Sequence, residues 1–287
     1  MWEREISTWP NHELSQFIEA GGIRWHVQQT GRGPALFLVH GTGASTHSWR
    51  DLVPTLAQDC SVIAVDLPGH GFTDPVSAAR SSINGMSDSL AALLRALQVH
   101  PRYCVGHSAG AAILCRMALD GFIAPRCIVS INGAFVPLAG MAALFYRPVA
   151  RFLAGSPLMS RLISRRACNR ANIVRVIAGT GSRLDAAGIE FYTRLVSDPT
   201  HLAGVLCMMA NWDLHSFERE LSRLTTPLAL MVAENDLTVP PCQALKVKRV
   251  VANSTLYTLP GLGHLAHEEQ PALVAREILK ICRASAC

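Results

Sequence analysis

The stretch VGHSAGA, residues 105–111, places one serine midway between two glycines. An apolar run, YCVGH, comes just before the serine, and a helical pattern follows it as far as Leu119. A chain that turns sharply from a strand into a helix brings its own backbone too close together for side chains at the flanks. Gly106 and Gly110 therefore predict a tight strand–turn–helix with Ser108 exposed at the turn.

Short apolar runs alternate with helical patterns along most of the chain. Such runs are typical of parallel strands that are buried on both faces. The predicted strands are residues 35–39, 60–65, 103–107, 127–132, 227–233 and 254–259, the predicted helices are 84–97, 109–119 and 271–282, and a β-hairpin is predicted at 15–31. This order predicts an α/β fold, with a mostly parallel sheet and helices on both faces.

The alternation stops between residues 134 and 226, where helical patterns continue without a strand run. We expect this stretch to be a helical cap that is inserted over the sheet. The predicted organisation is a first part of the core at 1–133, the cap at 134–226 and a second part of the core at 227–287.

Three residues have the types and the order of a nucleophile, an acid and a base. A serine hydroxyl needs a base to take its proton, and the base needs an acid to orient it. Asp236 follows a predicted strand in AENDLTVP, and His264 follows the next strand in GLGHLAHEE. Loops at the carboxyl ends of parallel strands meet at one edge of a sheet, so we expect Ser108, Asp236 and His264 to form a catalytic triad. Glu234 is the nearest rival acid, and Asp213 is a weaker one.

Backbone amides that could stabilise an oxyanion are expected in two places. The loop HGTG, residues 40–43, follows the first central strand, and the helix after Ser108 begins with N–H groups that have no partner inside the helix. The predicted donors are the amides of Thr42 and Ala109.

Four more residues are candidates for lining a substrate site: His40, Gly41, His107 and Trp212. Each histidine has a structural alternative, because His40 suits bracing of the loop and His107 equally suits core packing. Trp212 lies in LCMMANWDL, whose methionines fit a pocket roof or plain packing equally well.

Composition limits the other functions. With 287 residues, of which 49% are hydrophobic and 16% charged, the chain is long enough for one large domain with an insertion. Its longest apolar run, residues 134–146, is short for a membrane span, and the first residues lack the apolar centre of a signal peptide. Nine cysteines without a CxxC pair favour reduced thiols in the cytoplasm.

Motifs for metals, nucleotides and nucleic acids are weak or missing. The sequence has no phosphate-binding glycine loop, no dinucleotide-binding motif and no aromatic residues interleaved with basic ones. HLAHEE offers His264, His267 and Glu268 to a metal, but the spacing is not that of a zinc protease and His264 is needed as the base. We expect no metal, no cofactor and no nucleic-acid partner.

Several motifs resemble those of known families. With HGTG, DLPGHG, GHSAG, Asp236 and His264 in this order, the chain resembles the α/β-hydrolase superfamily along nearly its whole length. The strings WPNHELSQF, GGIRWHVQQTG, TGSRLD and MMANWDL are similar to those of the accessory proteins of magnesium chelatase in bacteriochlorophyll biosynthesis. That resemblance implies a role in, or beside, magnesium insertion into protoporphyrin IX. It indicates the pathway in which the protein acts more firmly than the reaction that the protein performs.

The net charge of +5 is unevenly distributed. Residues 121–184 contain no Asp or Glu and hold nine arginines: Arg126, Arg147, Arg151, Arg161, Arg165, Arg166, Arg170, Arg175 and Arg183. A solvated helix face, a surface that rests on anionic lipid, and arginine clamps for the carboxylates of an apolar ligand all fit this pattern. A porphyrin is flat and apolar and carries two propionates, so the clamps agree with the resemblance.

Three functions are therefore open: a serine hydrolase acting on a hydrophobic ester in magnesium-porphyrin synthesis, a general carboxylesterase, and a non-catalytic porphyrin-handling protein. We favour the first, because the triad is complete. The expected partners are a hydrophobic, carboxylate-bearing ligand of the porphyrin type and magnesium-chelatase subunits. We expect the protein to lie in the cytoplasm and to contact the inner membrane peripherally.

Overall fold

An eight-stranded β-sheet lies at the centre of the fold. A computed structural model describes residues 6–137, 164 and 169–285. Its strands are β1 (Ser15–Ala20), β2 (Ile23–Thr30), β3 (Ala35–Val39), β4 (Ser61–Val65), β5 (Tyr103–His107), β6 (Cys127–Ile131), β7 (Leu228–Ala233) and β8 (Ser254–Leu259). They form one sheet in the order β1-β2-β4-β3-β5-β6-β7-β8.

The strand order determines which loops meet. The hairpin β1–β2 joins the sheet in the antiparallel direction, and β3 to β8 run parallel. The chain first adds β4 on one side of β3 and then returns to place β5 on the other side. The loops after β3 and β5 therefore leave the carboxyl edge of the sheet side by side, the usual position of a binding crevice.

Helices cover both faces of the sheet, as the alternating pattern predicts. They are α1 (Val53–Leu56), α2 (Ile83–Ala96), α3 (Ala109–Leu119), α4 (Arg170–Gly179), α5 (Ala186–Ser197), α6 (Pro199–Asn211), α7 (His215–Glu220), α8 (Cys242–Val250), α9 (Ala266–Glu269) and α10 (Pro271–Ala284). Successive strand residues alternate between two apolar cores. Phe37 belongs to the first core, which also contains residues of α2, α3 and α8, and Leu38 belongs to the second, which also contains residues of α1 and α10.

Strand ends differ from the predicted ones by a single residue, for local reasons. β4 begins at Ser61 because the N–H of Cys60 donates to the carbonyl of Leu56 at 3.0 Å and closes the turn after α1. β6 ends at Ile131 because Asn132 adopts a φ of 48°, which no strand residue has.

Between β6 and β7 the described residues form α4 to α7 and no strand. We call residues 169–226 the helical insert. Five of the nine arginines that could clamp carboxylates or rest on lipid lie at residues 138–163 and 165–168, outside the described residues. Their role and the boundaries at 134 and 226 stay predictions. In the described part of the chain, no helix is both long enough and apolar enough to cross a bilayer.

Candidate active site

Strand β5 passes into helix α3 through one residue, Ser108. Its backbone has φ 50° and ψ −116°, a conformation that residues other than glycine rarely adopt. The N–H of Ser108 donates to the carbonyl of Ile131 at 3.0 Å, and its own carbonyl accepts from the N–H groups of Ala111 and Ala134 at 3.2 and 3.1 Å. These three hydrogen bonds fix the backbone of the turn. Ser108 is half-buried at the carboxyl edge of the sheet.

The flanking glycines are required by close approach of the backbone. A Cβ at Gly106 would lie 2.5 Å from the Cα of Ala111, and a Cβ at Gly110 would lie 2.6 Å from the carbonyl oxygen of His40. Both contacts are with backbone, which cannot move aside as a flexible side chain can. The turn therefore has the geometry of a nucleophile elbow.

His264 and Asp236 form a hydrogen-bonded pair at the same edge. Nδ1 of His264 lies 2.8 Å from Oδ2 of Asp236, and both side chains are buried. The other carboxylate oxygen of Asp236 accepts from the backbone N–H groups of Thr238 and Val239, each at 2.8 Å. Because a carboxylate only accepts, the imidazole presents its Nδ1–H to Asp236 and leaves Nε2 free to take a proton.

The rival acids are engaged elsewhere. Glu234 accepts a hydrogen bond from the N–H of Gly261 at 3.3 Å, at the surface. Asp213 pairs with the exposed ring of His215 at 2.8 Å. The geometry therefore favours Asp236 as the residue that orients His264.

Asn132, which the sequence pattern did not single out, fixes the loop that carries His264. Its Nδ2 donates to the carbonyls of Gly263 at 3.1 Å and His264 at 2.9 Å, and its Oδ1 accepts from the N–H of Ala233 at 2.8 Å. The one available signal was the Asn-Gly pair at the end of a strand, since asparagine tolerates the left-handed conformation.

His107 brings the loop of His264 against the elbow. Its Nε2–H donates to the carbonyl of His264 at 3.0 Å, and the two rings lie 4.7 Å apart. Burial lowers the pKa of His107 well below its ordinary value, and the neighbouring His267 and His264 lower it further. A neutral, buried His107 suits packing and positioning better than contact with a substrate.

Ser108 and His264 are both neighbours of His107, Ser108 along the chain and His264 through its carbonyl and ring. Within the described residues, no hydrogen bond joins the Ser108 hydroxyl to the His264 ring. Catalytic hydrogen bonds of this kind are often long before substrate binds and shorten in the complex.

The two predicted oxyanion donors come from segments that adjoin Ser108. Ala109 is the first residue of α3, where an N–H has no acceptor inside the helix. Gly41 lies so close that a Cβ there would be 3.0 Å from the Cβ of Ser108, and Thr42 follows it in the exposed part of the loop. A turn in which the N–H of Ala44 donates to the carbonyl of Gly41 at 3.2 Å holds this loop.

His40 is fully buried, and both of its ring nitrogens are used. Nδ1–H donates to the carbonyl of Gly41 at 2.8 Å, and Nε2 accepts from the N–H of Leu67 at 2.9 Å. Burial lowers the pKa of His40, so the neutral ring that fits these bonds is the stable form. This arrangement matches the alternative in which His40 braces the loop.

Helix α6 of the helical insert packs on the same loop. The Thr42 hydroxyl lies 3.6 Å from the sulfur of Met208, which is buried. Trp212 follows one turn later at the end of α6 and is half-buried against the first core. Met208 thus contacts the predicted oxyanion loop directly.

His267 and Glu268 belong to a polar network that is centred on Ser48. The Ser48 hydroxyl lies 2.8 Å from Nε2 of His267 and 2.6 Å from Glu268, and the Tyr192 hydroxyl donates to Glu268 at 2.7 Å. Arg50 adds an ion pair to Glu268 at 3.1 Å. Across the described ranges, no group of three or more His, Cys, Asp or Glu side chains is arranged to hold a metal ion.

A second Ser–His–Asp arrangement lies in the β1–β2 region. Nδ1 of His26 is 2.7 Å from Asp66, and its Nε2 is 2.8 Å from the Ser15 hydroxyl. Burial by itself would raise the pKa of Asp66, but His26, His40 and the N–H of Phe72 outweigh it and hold that pKa well below its ordinary value. Because His26 and Asp66 are completely buried, we interpret this network as structural support for β2.

The comparisons with known proteins agree with this fold. A parallel sheet with a serine elbow after a central strand, and an Asp–His pair at the same edge, is the arrangement of α/β hydrolases. The family model described as "Alpha/beta hydrolase family" matches residues 36–277. The chain belongs to this family.

Individual relatives differ in what they do. The chain is 38% identical over 264 residues to the magnesium-chelatase 30 kDa subunit of Rhodobacter capsulatus, covering 91% of this chain and 92% of that protein. It is 26% identical over 275 residues to the pimeloyl-[acyl-carrier protein] methyl ester esterase of Nitrosospira multiformis, covering 92% and 100%. An α/β hydrolase fold protein from Burkholderia ambifaria superposes with a TM-score of 0.79 at 23% identity, covering 93% and 97%.

We predict that Gly110→Ala lowers the free energy of unfolding by about 2–3 kcal/mol, because the new methyl group meets the backbone of β3. Gly179→Ala is the matched control, since a Cβ there meets nothing within 4 Å. Alanine at that helix position should be neutral or stabilise by about 0.5–1 kcal/mol. Urea unfolding measures both, and equal stability of the two variants would refute the close approach.

Proposed function

We propose that the protein is a serine hydrolase acting on an ester or related acyl bond of a hydrophobic substrate. The observation that carries the proposal is the Asp236–His264 hydrogen bond beside an elbow that exposes Ser108. Nε2 of His264 takes the proton of the Ser108 hydroxyl as the oxygen bonds to the substrate carbonyl carbon. Asp236 keeps the ring in the required tautomer and stabilises the imidazolium.

Hydrolysis is completed in two halves. The carbonyl oxygen becomes an oxyanion, which the amides of Thr42 and Ala109 stabilise by donating hydrogen bonds. His264 returns its proton to the leaving group as the carbon–oxygen bond breaks, and an acyl-Ser108 ester remains. A water then gives a proton to His264, attacks this ester and releases the acid, with the proton returning to Ser108.

We further propose that this chemistry serves magnesium-porphyrin synthesis in the cytoplasm. The support is the identity to the magnesium-chelatase 30 kDa subunit across nearly both whole chains. The proposed partners are magnesium-chelatase subunits and a hydrophobic, carboxylate-bearing ligand of the porphyrin type, with peripheral contact to the inner membrane. The seven cysteines of the described part are all free thiols, which is the usual state in a reducing compartment.

Two alternatives rest on specific relatives. A non-catalytic protein that handles porphyrin beside the chelatase would also explain the similarity to the chelatase subunit. A general carboxylesterase is favoured by the similarity to the methyl ester esterase. The fold by itself does not choose among these functions.

A fluorophosphonate probe tests whether the hydroxyl is activated, without knowledge of the substrate. We predict that Ser108 displaces fluoride from the phosphorus and becomes covalently labelled, and that Ser108→Ala and His264→Ala lower the labelling rate by about two orders of magnitude or more. Mass spectrometry of the labelled peptide identifies the modified residue.

Ser15→Ala is the control, because Ser15 also has a histidine and an aspartate in line. Labelling of Ser15→Ala at the wild-type rate is expected. If folded wild-type protein stays unlabelled, or if the label lies on Ser15, the hydrolase proposal is wrong.

Complementation separates the enzyme from the porphyrin-handling alternative. In a Rhodobacter capsulatus strain without its magnesium-chelatase 30 kDa subunit, we expect the wild-type chain to restore pigment and a folded Ser108→Ala variant to fail. Pigment absorbance measures both, with protein level and folding checked by immunoblot and circular dichroism. Equal rescue by both chains would favour the non-catalytic role, and no rescue by either would remove the link to this pathway.

A further inference from the structure

A short turn of the helical insert touches both loops that carry the Asp–His pair. Helix α4 ends at Gly179, and residues 180–183, which we call the clamp turn, follow it. The carbonyl of Thr180 accepts from the N–H of Leu237, next to Asp236, at 3.2 Å and from the N–H of His264 at 3.3 Å. We call the loop that carries Asp236 the acid loop and the loop that carries His264 the base loop. One backbone oxygen of the insert thus joins these two loops.

Two further residues of the clamp turn, Ser182 and Arg183, make hydrogen bonds that also hold the loop of His264. The Ser182 hydroxyl accepts from the N–H of Leu265 at 2.8 Å. The carboxylate of Glu269 accepts from the N–H of Arg183 at 3.2 Å and, with its other oxygen, from the N–H of Gly263 at 2.8 Å. The N–H groups of residues 263, 264 and 265 are therefore all held by the clamp turn or by a side chain that the turn shares.

Packing reinforces these hydrogen bonds. Leu265 is buried in a small apolar cluster with Ile173 and Ile177 of α4 and Ile189 of α5. Gly181 has a φ of +83° and fits so closely under the acid loop that a Cβ would overlap the carbonyl of Asn235. The insert is thus attached to the base loop on both sides of His264.

We propose that the clamp turn is a positioning element that acts together with Asn132 to hold Asp236 and His264 in register, so that full activation of Ser108 requires the helical insert to be seated on the core. The inference rests on the proposed serine hydrolase function. It assigns a role in catalysis to residues that do not touch the substrate. A hydrogen-bond network that spans two loops can set their separation to well within 1 Å, the scale on which catalytic groups lose their effect.

Thr180 acts through its backbone, so substitution of its side chain would not test the proposal. Gly181→Ala does, because the added methyl group and the positive φ displace the turn from Asn235 and leave the catalytic side chains intact. Gly179→Ala, two residues earlier at the end of α4, is the matched control. Ser182→Ala is the milder variant, which removes only the acceptor of the Leu265 N–H and serves if Gly181→Ala does not fold.

The first readout is the rate of fluorophosphonate labelling at Ser108, at a temperature where urea unfolding shows each variant to be folded. We expect a loss of about tenfold or more for Gly181→Ala, a smaller loss for Ser182→Ala and no change for Gly179→Ala. Folded Gly181→Ala and Ser182→Ala that label at the wild-type rate would overturn the proposal.

The second readout does not require reactivity. The His264 Nδ1 proton, hydrogen-bonded to Asp236, gives a far-downfield proton resonance, which we expect in the wild type and in Gly179→Ala and expect to be lost or shifted in Gly181→Ala. If wild-type protein shows this resonance but no labelling, the hydrolase proposal fails alone. If the resonance is unchanged in Gly181→Ala, the positioning role fails whether or not the wild type is labelled.

Discussion

The backbone at Ser108 holds a conformation that costs about 1–3 kcal/mol for a residue other than glycine, and the site depends on it. The fold keeps this strained backbone because β3, β5 and α3 lie very close together at Gly106 and Gly110, which leaves the chain no other route from the strand to the helix. The same approach places the start of α3 and the loop after β3 next to the serine. The position of the hydroxyl and that of the first amide of α3 thus follow from a single steric constraint.

The elbow supplies a rigid nucleophile, whereas the base and its acid lie on loops that need support. Asp236 and His264 follow β7 and β8, which pair in the sheet, and Asn132 ties the end of β6 to both loops. Contacts from the helical insert complete the support through Thr180 and Ser182. The core therefore determines where the serine stands, while the insert takes part in determining whether the histidine faces it.

Sequence patterns predicted what is local. The glycines around Ser108 and the apolar runs were enough for the sheet and the elbow. The choice of Asp236 over Glu234 stays a prediction, which the Asp236–His264 hydrogen bond supports. Asn132 and Ser182 were missed because their roles depend on partners 101 and 83 residues away, and a polar residue in a turn has no local mark of such a partner. The second Ser–His–Asp set was missed for the same reason, since Ser15 and Asp66 come together only through the pairing of β1, β2 and β4. The arginine-rich stretch was clear in composition, but no contact in the described residues assigns its role.

The most direct measurement is a crystal structure of the protein after reaction with a fluorophosphonate. The account predicts a phosphorus atom bonded to the oxygen of Ser108, with the phosphonyl oxygen within hydrogen-bonding distance of the amides of Thr42 and Ala109 and the His264 ring still paired with Asp236. A phosphorus atom bonded to a different residue, or a phosphonyl oxygen that faces away from both amides, would contradict it.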